Sequence, residues 1–359
     1  MEATFSPQSP ILSASTPTPL GKTGVLLVNL GTPDSPSVPD VRKYLREFLM
    51  DGRVVDIPAP LRFALVNGII APFRSPKSAK IYKELWTETG SPLKYYGEIA
   101  ERELQKHLDQ TTNQYVVRLA MRYQSPSIKV GLDEFQRLGL TELIVIPFFP
   151  QYASATTGSV YEKVMDVLRG WQVIPKLRFV NSFLDHPNFI RGFVENGRRW
   201  MGKYDYDHFV FSYHGLPERQ IRKGDISKQV CKLGDCCATL RAANQHCYRA
   251  QCFETTRRLV RELGIPEGKY TTCFQSRLGQ DEWIKPYTED LVKALPKRGI
   301  KNVLAFSPAF VSDCLETTIE VGEEYKELFE ENGGEHWHLV ESLNDSPLWI
   351  ELLADLVQQ

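Results

Sequence analysis

From residue 22 onward, short apolar runs rich in β-branched residues alternate with longer charged stretches whose apolar positions recur at helical spacing. Six runs predict strands: GVLLVNL (24–30), YVVRLAM (115–121), ELIVIPFF (142–149), HFVFSY (208–213), YTTCFQ (270–275) and NVLAFSP (302–308). They are apolar nearly throughout rather than alternating, which predicts strands covered on both faces, as in a parallel sheet with helical crossovers. ELIVIPFFPQYASATTGS (142–159) is echoed by NVLAFSPAFVSDCLETTI (302–319), each with an apolar run, a proline, an aromatic and then Ser or Thr ahead of a helix. The expected fold class is α/β, with two Rossmann-like domains, each a mainly parallel sheet flanked by helices. Their division is expected near residue 180, giving domains 22–180 and 181–359.

The residues that follow the runs are polar, aromatic or Gly/Pro-rich: Gly31-Thr32-Pro33, Arg122-Tyr123-Gln124, Gln151-Tyr152, His214-Gly215-Leu216-Pro217, Ser276-Arg277 and Phe310-Val311-Ser312-Asp313. In open α/β sheets ligands bind beyond the carboxyl ends of the strands, so these tips should converge on one cleft. Neither GxGxxG nor GxxxxGK followed by Ser or Thr stands after any run, which leaves dinucleotide and nucleoside triphosphate binding without their usual support.

Charge narrows the partners. Across 359 residues, 43 Lys plus Arg face 44 Asp plus Glu, which argues against a broad basic face for nucleic acid. Residues 1–21 are rich in Ser, Thr and Pro, lack a basic start and an apolar export core, and are expected to form a disordered tail. No run reaches the roughly 18 apolar residues of a membrane-spanning helix, so a cytoplasmic protein is expected. Thiols there stay reduced, and clustered cysteines more often bind metal than form disulfides.

Five of the seven cysteines lie together, spaced Cys231-x4-Cys236-Cys237-x9-Cys247-x4-Cys252. The spacing matches no common zinc finger and offers five thiols for a four-ligand site. Adjacent residues seldom share one site, so Cys231, one of Cys236 and Cys237, Cys247 and Cys252 are the expected ligands. Cys273 and Cys314, on a strand and at a helix start, read as packing residues.

Two tips carry proton and metal chemistry. His214 closes an apolar run; a histidine titrates near neutrality and serves as proton acceptor or metal ligand, with a satisfied core histidine as the plain alternative. Asp313 followed by Glu316 predicts a capping box, and the helix it opens places Glu316, Glu320, Glu323 or Glu324, and Glu327 along one face. Such a row is often only a solvated face. Leading from the cleft to a histidine, it also makes a route for a hard divalent cation.

Six blocks, VLLVNLGTPDSP, SPLKYY, PQYASATTGSV, FSYHGLPERQ, FQSRLGQDEWIKPYTED and FVSDCLETTIE, resemble those of the ferrochelatases, enzymes that insert ferrous iron into a porphyrin, and they stand in the family's order. The resemblance implies two Rossmann-like domains around a porphyrin cleft, with Fe2+ and a porphyrin, protoporphyrin IX first, as substrates. It implies His214 and Glu316 as the residues that contact the metal or handle pyrrole protons. Glu320 would follow along the same helix, with Arg122, Tyr123, Phe310 and Asp313 lining the cleft. Cys314 stands where some members have a second histidine. A cobalt chelatase acting on a related tetrapyrrole and a non-catalytic haem or iron–sulfur protein are the rival readings.

Residues 57–76, IPAPLRFALVNGIIAPFRSP, read as a core helix or, by the resemblance, as an apolar lip over the cleft that makes a peripheral membrane contact. Relative to shorter members, residues 228–252 form an insertion that holds the clustered cysteines. Some microbial members hold a [2Fe–2S] cluster, usually with other cysteine placement, and the resemblance implies such a cluster here; zinc is the alternative.

Overall fold

The computed structural model describes residues 21–277, 279 and 281–359, so the expected tail lies outside the described residues but for Gly21. Two four-stranded, all-parallel sheets share one strand order. In the first, β1 (Thr23–Gly31) lies between β2 (Tyr115–Tyr123) and β3 (Glu142–Pro147), with β4 (Lys176–Phe179) beyond β3. In the second, β5 (His208–His214) lies between β6 (Tyr270–Gln275) and β7 (Asn302–Phe306), with β8 (His336–Leu339) beyond β7.

The continuous apolar runs are explained by β1. Val25 and Leu27 enter one core and Leu26 and Val28 another, all 0% exposed, because helices cover both faces of the sheet. The apolar pattern does not predict β4 and β8, four residues each: KLRF and HWHL are outer strands with charged or imidazole side chains.

In each sheet the chain leaves the inner strand for one neighbour and then crosses to the other side. This reversal opens a crevice at the carboxyl ends of β1 and β5. Gly31 ends β1 at φ 120°, and a Cβ there would stand 2.1 Å from the Tyr123 carbonyl oxygen, so only glycine brings the two strand tips together.

The closing helix Pro347–Gln358 packs back onto the first half of the chain. Trp349 is 0% exposed with its ring 5.0 Å from Phe148, just past β3. Arg178 of β4 donates to the Leu356 and Val357 carbonyls at 2.6 and 2.5 Å, satisfying the helix end.

Residues 57–76 are no core helix. They form a helix Ala59–Ala64, a π-helical turn Leu65–Ile70 and the start of a helix Ala71–Leu85. Leu61, Phe63, Ile69 and Phe73 are 62, 61, 58 and 79% exposed, an apolar patch on the surface. The foot of this lip is held by Arg62, which donates to the Val55 and Ile57 carbonyls at 3.0 Å. Among the described residues no helix is long and apolar enough to cross a membrane.

Candidate active site

His214 is the last residue of β5, half-buried at the crevice. Its Nδ1 lies 2.7 Å from the Gly215 carbonyl, which can only accept, so Nδ1 carries hydrogen and Nε2 keeps the free lone pair in the neutral ring. The His214 carbonyl accepts from the buried Tyr248 hydroxyl at 2.9 Å, and the Trp283 ring lies 6.3 Å away. Gly215 is required: a Cβ would meet the Gln275 carbonyl at 2.8 Å and Trp283 at 3.0 Å.

Gln275 joins the histidine to the carboxylates. It stands opposite His214 in the β5–β6 register, and its Nε2 donates to the Glu316 carbonyl at 3.0 Å and the Glu320 carboxylate at 3.1 Å. Glu320 also accepts from Ser276 Oγ at 2.6 Å and Tyr325 OH at 3.0 Å. The helix carrying Glu316 and Glu320 is π-helical over Leu315–Glu324, with wider turns than an α-helix.

The expected capping box is corrected here. Cys314, not Asp313, caps this helix, pairing with Thr317, and the thiol is buried. Among the described residues Asp313 bonds no helix amide: its Oδ1 accepts from the Thr317 hydroxyl at 3.3 Å and the Ser342 amide at 3.1 Å, and its Oδ2 accepts from Asn344 Nδ2 at 2.7 Å, tying the loop after β7 to the segment after β8. Phe310 lies half-buried in that loop, against the main core. Beyond Glu320 a cavity of about 320 Å³ is lined by Glu289, Asp290, Glu324, Glu327 and Glu331. Burial and the charge of Glu320 push the Glu324 carboxyl up.

Arg122 and Tyr123 end β2 on the opposite wall. Arg122 Nη2 donates to Asp51 at 2.5 Å and Nε to Ser159 Oγ at 2.6 Å; Tyr123 OH donates to Asp51 at 2.9 Å. The guanidinium is therefore paired within the protein. Tyr123 shares a core with Leu315 and Ile319 of the π-helix, which sets this wall against the one carrying Glu316.

The sequence blocks and the paired crevices agree with a comparison of the whole chain. The ferrochelatase family model matches residues 22–359. The chain belongs to the ferrochelatase family. Ferrochelatase of Legionella pneumophila (strain Lens) is 43% identical over 336 residues, 94% of this chain and 98% of its own. That of Coxiella burnetii (strain Dugway 5J108-111) is 39% identical over 338 residues, 94% of each. Among solved structures, SirB from Bacillus subtilis with Fe3+ covers 94% of both chains at a TM-score of 0.50 and 10% identity, a likeness of fold alone.

Within this ferrochelatase-family chain four of the five clustered cysteines fall in a loop that ends at Cys247, the cap of the helix Tyr248–Leu263, and Cys252 lies within that helix. All seven cysteines are free thiols, and among the described residues no three His, Cys, Asp or Glu side chains are set as a metal-holding group. Cys231, Cys236, Cys237 and Cys247 nonetheless line one cavity of about 910 Å³. The Cys236 and Cys237 sulfurs are 3.6 Å apart, close to the about 3.8 Å that two thiolates at 2.3 Å from one tetrahedral ion require. Both members of this adjacent pair line the cavity, where one was expected to contribute. Cys252 is 0% exposed inside the helix and off the cavity. The neighbouring Cys247 thiol, with burial, pushes the Cys237 thiol up, and Cys237 in turn holds the Cys247 thiol down against burial.

Gln275, Trp283, Tyr248 and Asp51 are absent from the sequence-based set of site residues. Only the strand-tip position of Gln275, within the FQSR stretch, could have found it.

Proposed function

We propose that His214 accepts the pyrrole protons and Glu316 receives the metal when this ferrochelatase-family enzyme, a metal chelatase of the lyase class in haem biosynthesis, inserts Fe2+ into protoporphyrin IX. The balance is simple. One dication enters, two N–H protons leave, and the porphyrin core ends neutral. The observation that carries the assignment is the His214 ring itself, whose Nδ1–H is committed to the Gly215 carbonyl and whose Nε2 is left as acceptor. Gln275 holds the Glu316 backbone beside that strand tip, so base and carboxylate keep a fixed spacing. Protons taken by His214 can pass along the carboxylates of Glu316 and Glu320 toward the acidic cavity. Insertion needs a bent macrocycle, whose nitrogen lone pairs are open to the metal.

The test is haem formation from Fe2+ and protoporphyrin IX without oxygen, read by the Soret band. Absence of haem sinks the activity. Faster turnover of coproporphyrin changes the substrate but keeps the chemistry.

The thiol cavity is the proposed seat of a [2Fe–2S] cluster, with zinc as the alternative, held by Cys231, Cys236, Cys237 and Cys247. Bound there, such a group supplies a structural cross-link that oxidants can break. The chain prepares the loop for it. Asp225 accepts from the Val230 and Cys231 amides at 2.8 Å, and Tyr248, next to Cys247, holds the His214 carbonyl.

The lip is proposed to rest on a lipid surface through Phe63 and Phe73. In flotation with phosphatidylglycerol-containing vesicles the parent should rise with lipid, and Phe63→Ser with Phe73→Ser should cut the bound fraction at least about fivefold, since two large apolar groups are lost from the interface. A parent that never enters the lipid fraction refutes the contact.

A further inference from the structure

Asp51 follows the helix Val38–Leu49 and its cap Met50, at the foot of the lip, with its side chain 5% exposed. Four donors converge on it. Ser159 Oγ and Arg122 Nη2 reach Oδ2 at 2.5 Å, Tyr123 OH reaches Oδ2 at 2.9 Å, and the Arg53 amide reaches Oδ1 at 2.7 Å. Burial alone would raise the Asp51 carboxyl, but the Ser159 hydroxyl, the Arg53 amide and the Arg122 guanidinium outweigh it and hold it below the usual carboxylate range. The group is thus an anion fixed in a nearly dry wall.

The fixed anion matters because of what stands across from it. Arg122 is only 13% exposed and stacks 4.5 Å over the Tyr123 ring, so its charge is poorly screened. Tyr44 and Tyr123 share one buried cluster with Ile319 and with Leu315, the neighbour of Glu316, which packs the helix carrying that carboxylate against this wall. An unpaired guanidinium here would repel an incoming dication and attract porphyrin carboxylates.

We infer that Asp51 is a positioning residue for iron insertion: it fixes Arg122 and Tyr123 in the cleft wall and cancels the guanidinium charge that would oppose a divalent cation bound for Glu316. The inference rests on the proposed role of Glu316 as the carboxylate that receives Fe2+. It assigns Arg122 to the wall rather than to a porphyrin carboxylate, because its charge is already matched.

Three variants test it: Asp51→Asn, Arg122→Gln and the two combined. Asp51→Asn should raise the KM for Fe2+ about tenfold, the order expected for one poorly screened charge near a dication, with a steeper dependence on salt. Its porphyrin KM should stay or fall, and its kcat should remain within about threefold, since the groups that move protons are intact. The combined variant, with neither charge, should return the KM for Fe2+ to within about threefold of the parent. That split and that rescue are not expected of a residue that only supports the fold.

Calorimetric titration with Mn2+, a hard cation that avoids thiols, reads the same charge effect without turnover. A parent that makes no haem would therefore sink the chelatase reading while the Mn2+ affinities still decide for Asp51. Should Asp51→Asn melt before assay, Arg122→Gln decides in its place: it leaves the Asp51 charge unmatched, so its KM for Fe2+ should fall below that of the parent, and an unchanged or raised KM overturns the inference. Unchanged iron KM and Mn2+ affinity in Asp51→Asn, or a combined variant that binds these cations no better than the single one, overturns the inference.

Discussion

His214→Ala is expected to lower kcat for haem formation between about 100-fold and 10,000-fold, the range for loss of a positioned proton acceptor. The fold should survive. The backbone of residue 214 keeps its place at the end of β5, where its carbonyl still accepts from Tyr248, and no large buried side chain is lost. Porphyrin should bind within a few-fold of the parent Kd, because no other side chain of the cleft is changed. Stopped-flow haem formation, porphyrin fluorescence quenching and circular dichroism separate the three quantities. Turnover within tenfold of the parent would remove His214 from the chemistry.

Cys237→Ser should abolish the metal binding proposed for the thiol cavity. Cys237 is 1% exposed and its sulfur lies 3.6 Å from that of Cys236, so its loss removes a central member of the proposed ligand set. The parent purified without oxygen should carry about two irons and two acid-labile sulfides per chain, or about one zinc without sulfide. In Cys237→Ser that content should fall below about a tenth. The melting temperature should fall by several degrees, because metal bound only to the folded chain adds to its stability. Cys252→Ser is the control. Buried in its helix away from the cavity, Cys252 can change without loss of metal, and equal loss in that variant would redraw the ligand set. A parent holding neither iron nor zinc would end the cluster proposal.

Much of the architecture is legible in the chain. The inner strands are apolar at consecutive positions because helices cover both faces, and that pattern needs no tertiary knowledge to see. The strands β4 and β8 escape it, since KLRF and HWHL are too short and too polar to stand out. The lip shows a different limit: apolar composition over residues 57–76 states how greasy a helix is, not which way it faces.

The spacing Asp313-x-x-Glu316 imitates a capping box, but Asn344 and the Ser342 amide compete for Asp313 and leave the cap to Cys314. Nor does the sequence show that the 3₁₀ turn Asp235–Cys237 brings the sulfurs of Cys236 and Cys237 to 3.6 Å of each other at one cavity.

Residue order alone placed His214 at a strand tip and Glu316 in the first turn of the helix after another, because a strand end followed by a polar turn is a local feature written in consecutive residues. It also carried the ordered blocks that mark the ferrochelatase family. The tertiary structure alone decided the partners of these residues. Asp51 meets Arg122 across 71 positions and Ser159 across 108, and Gln275 meets Glu316 across 41. Such contacts have no period and no motif. They exist only where packing of two sheets and a returning helix brings distant side chains into one dry space, and there the burial of a charge requires that its partner be present.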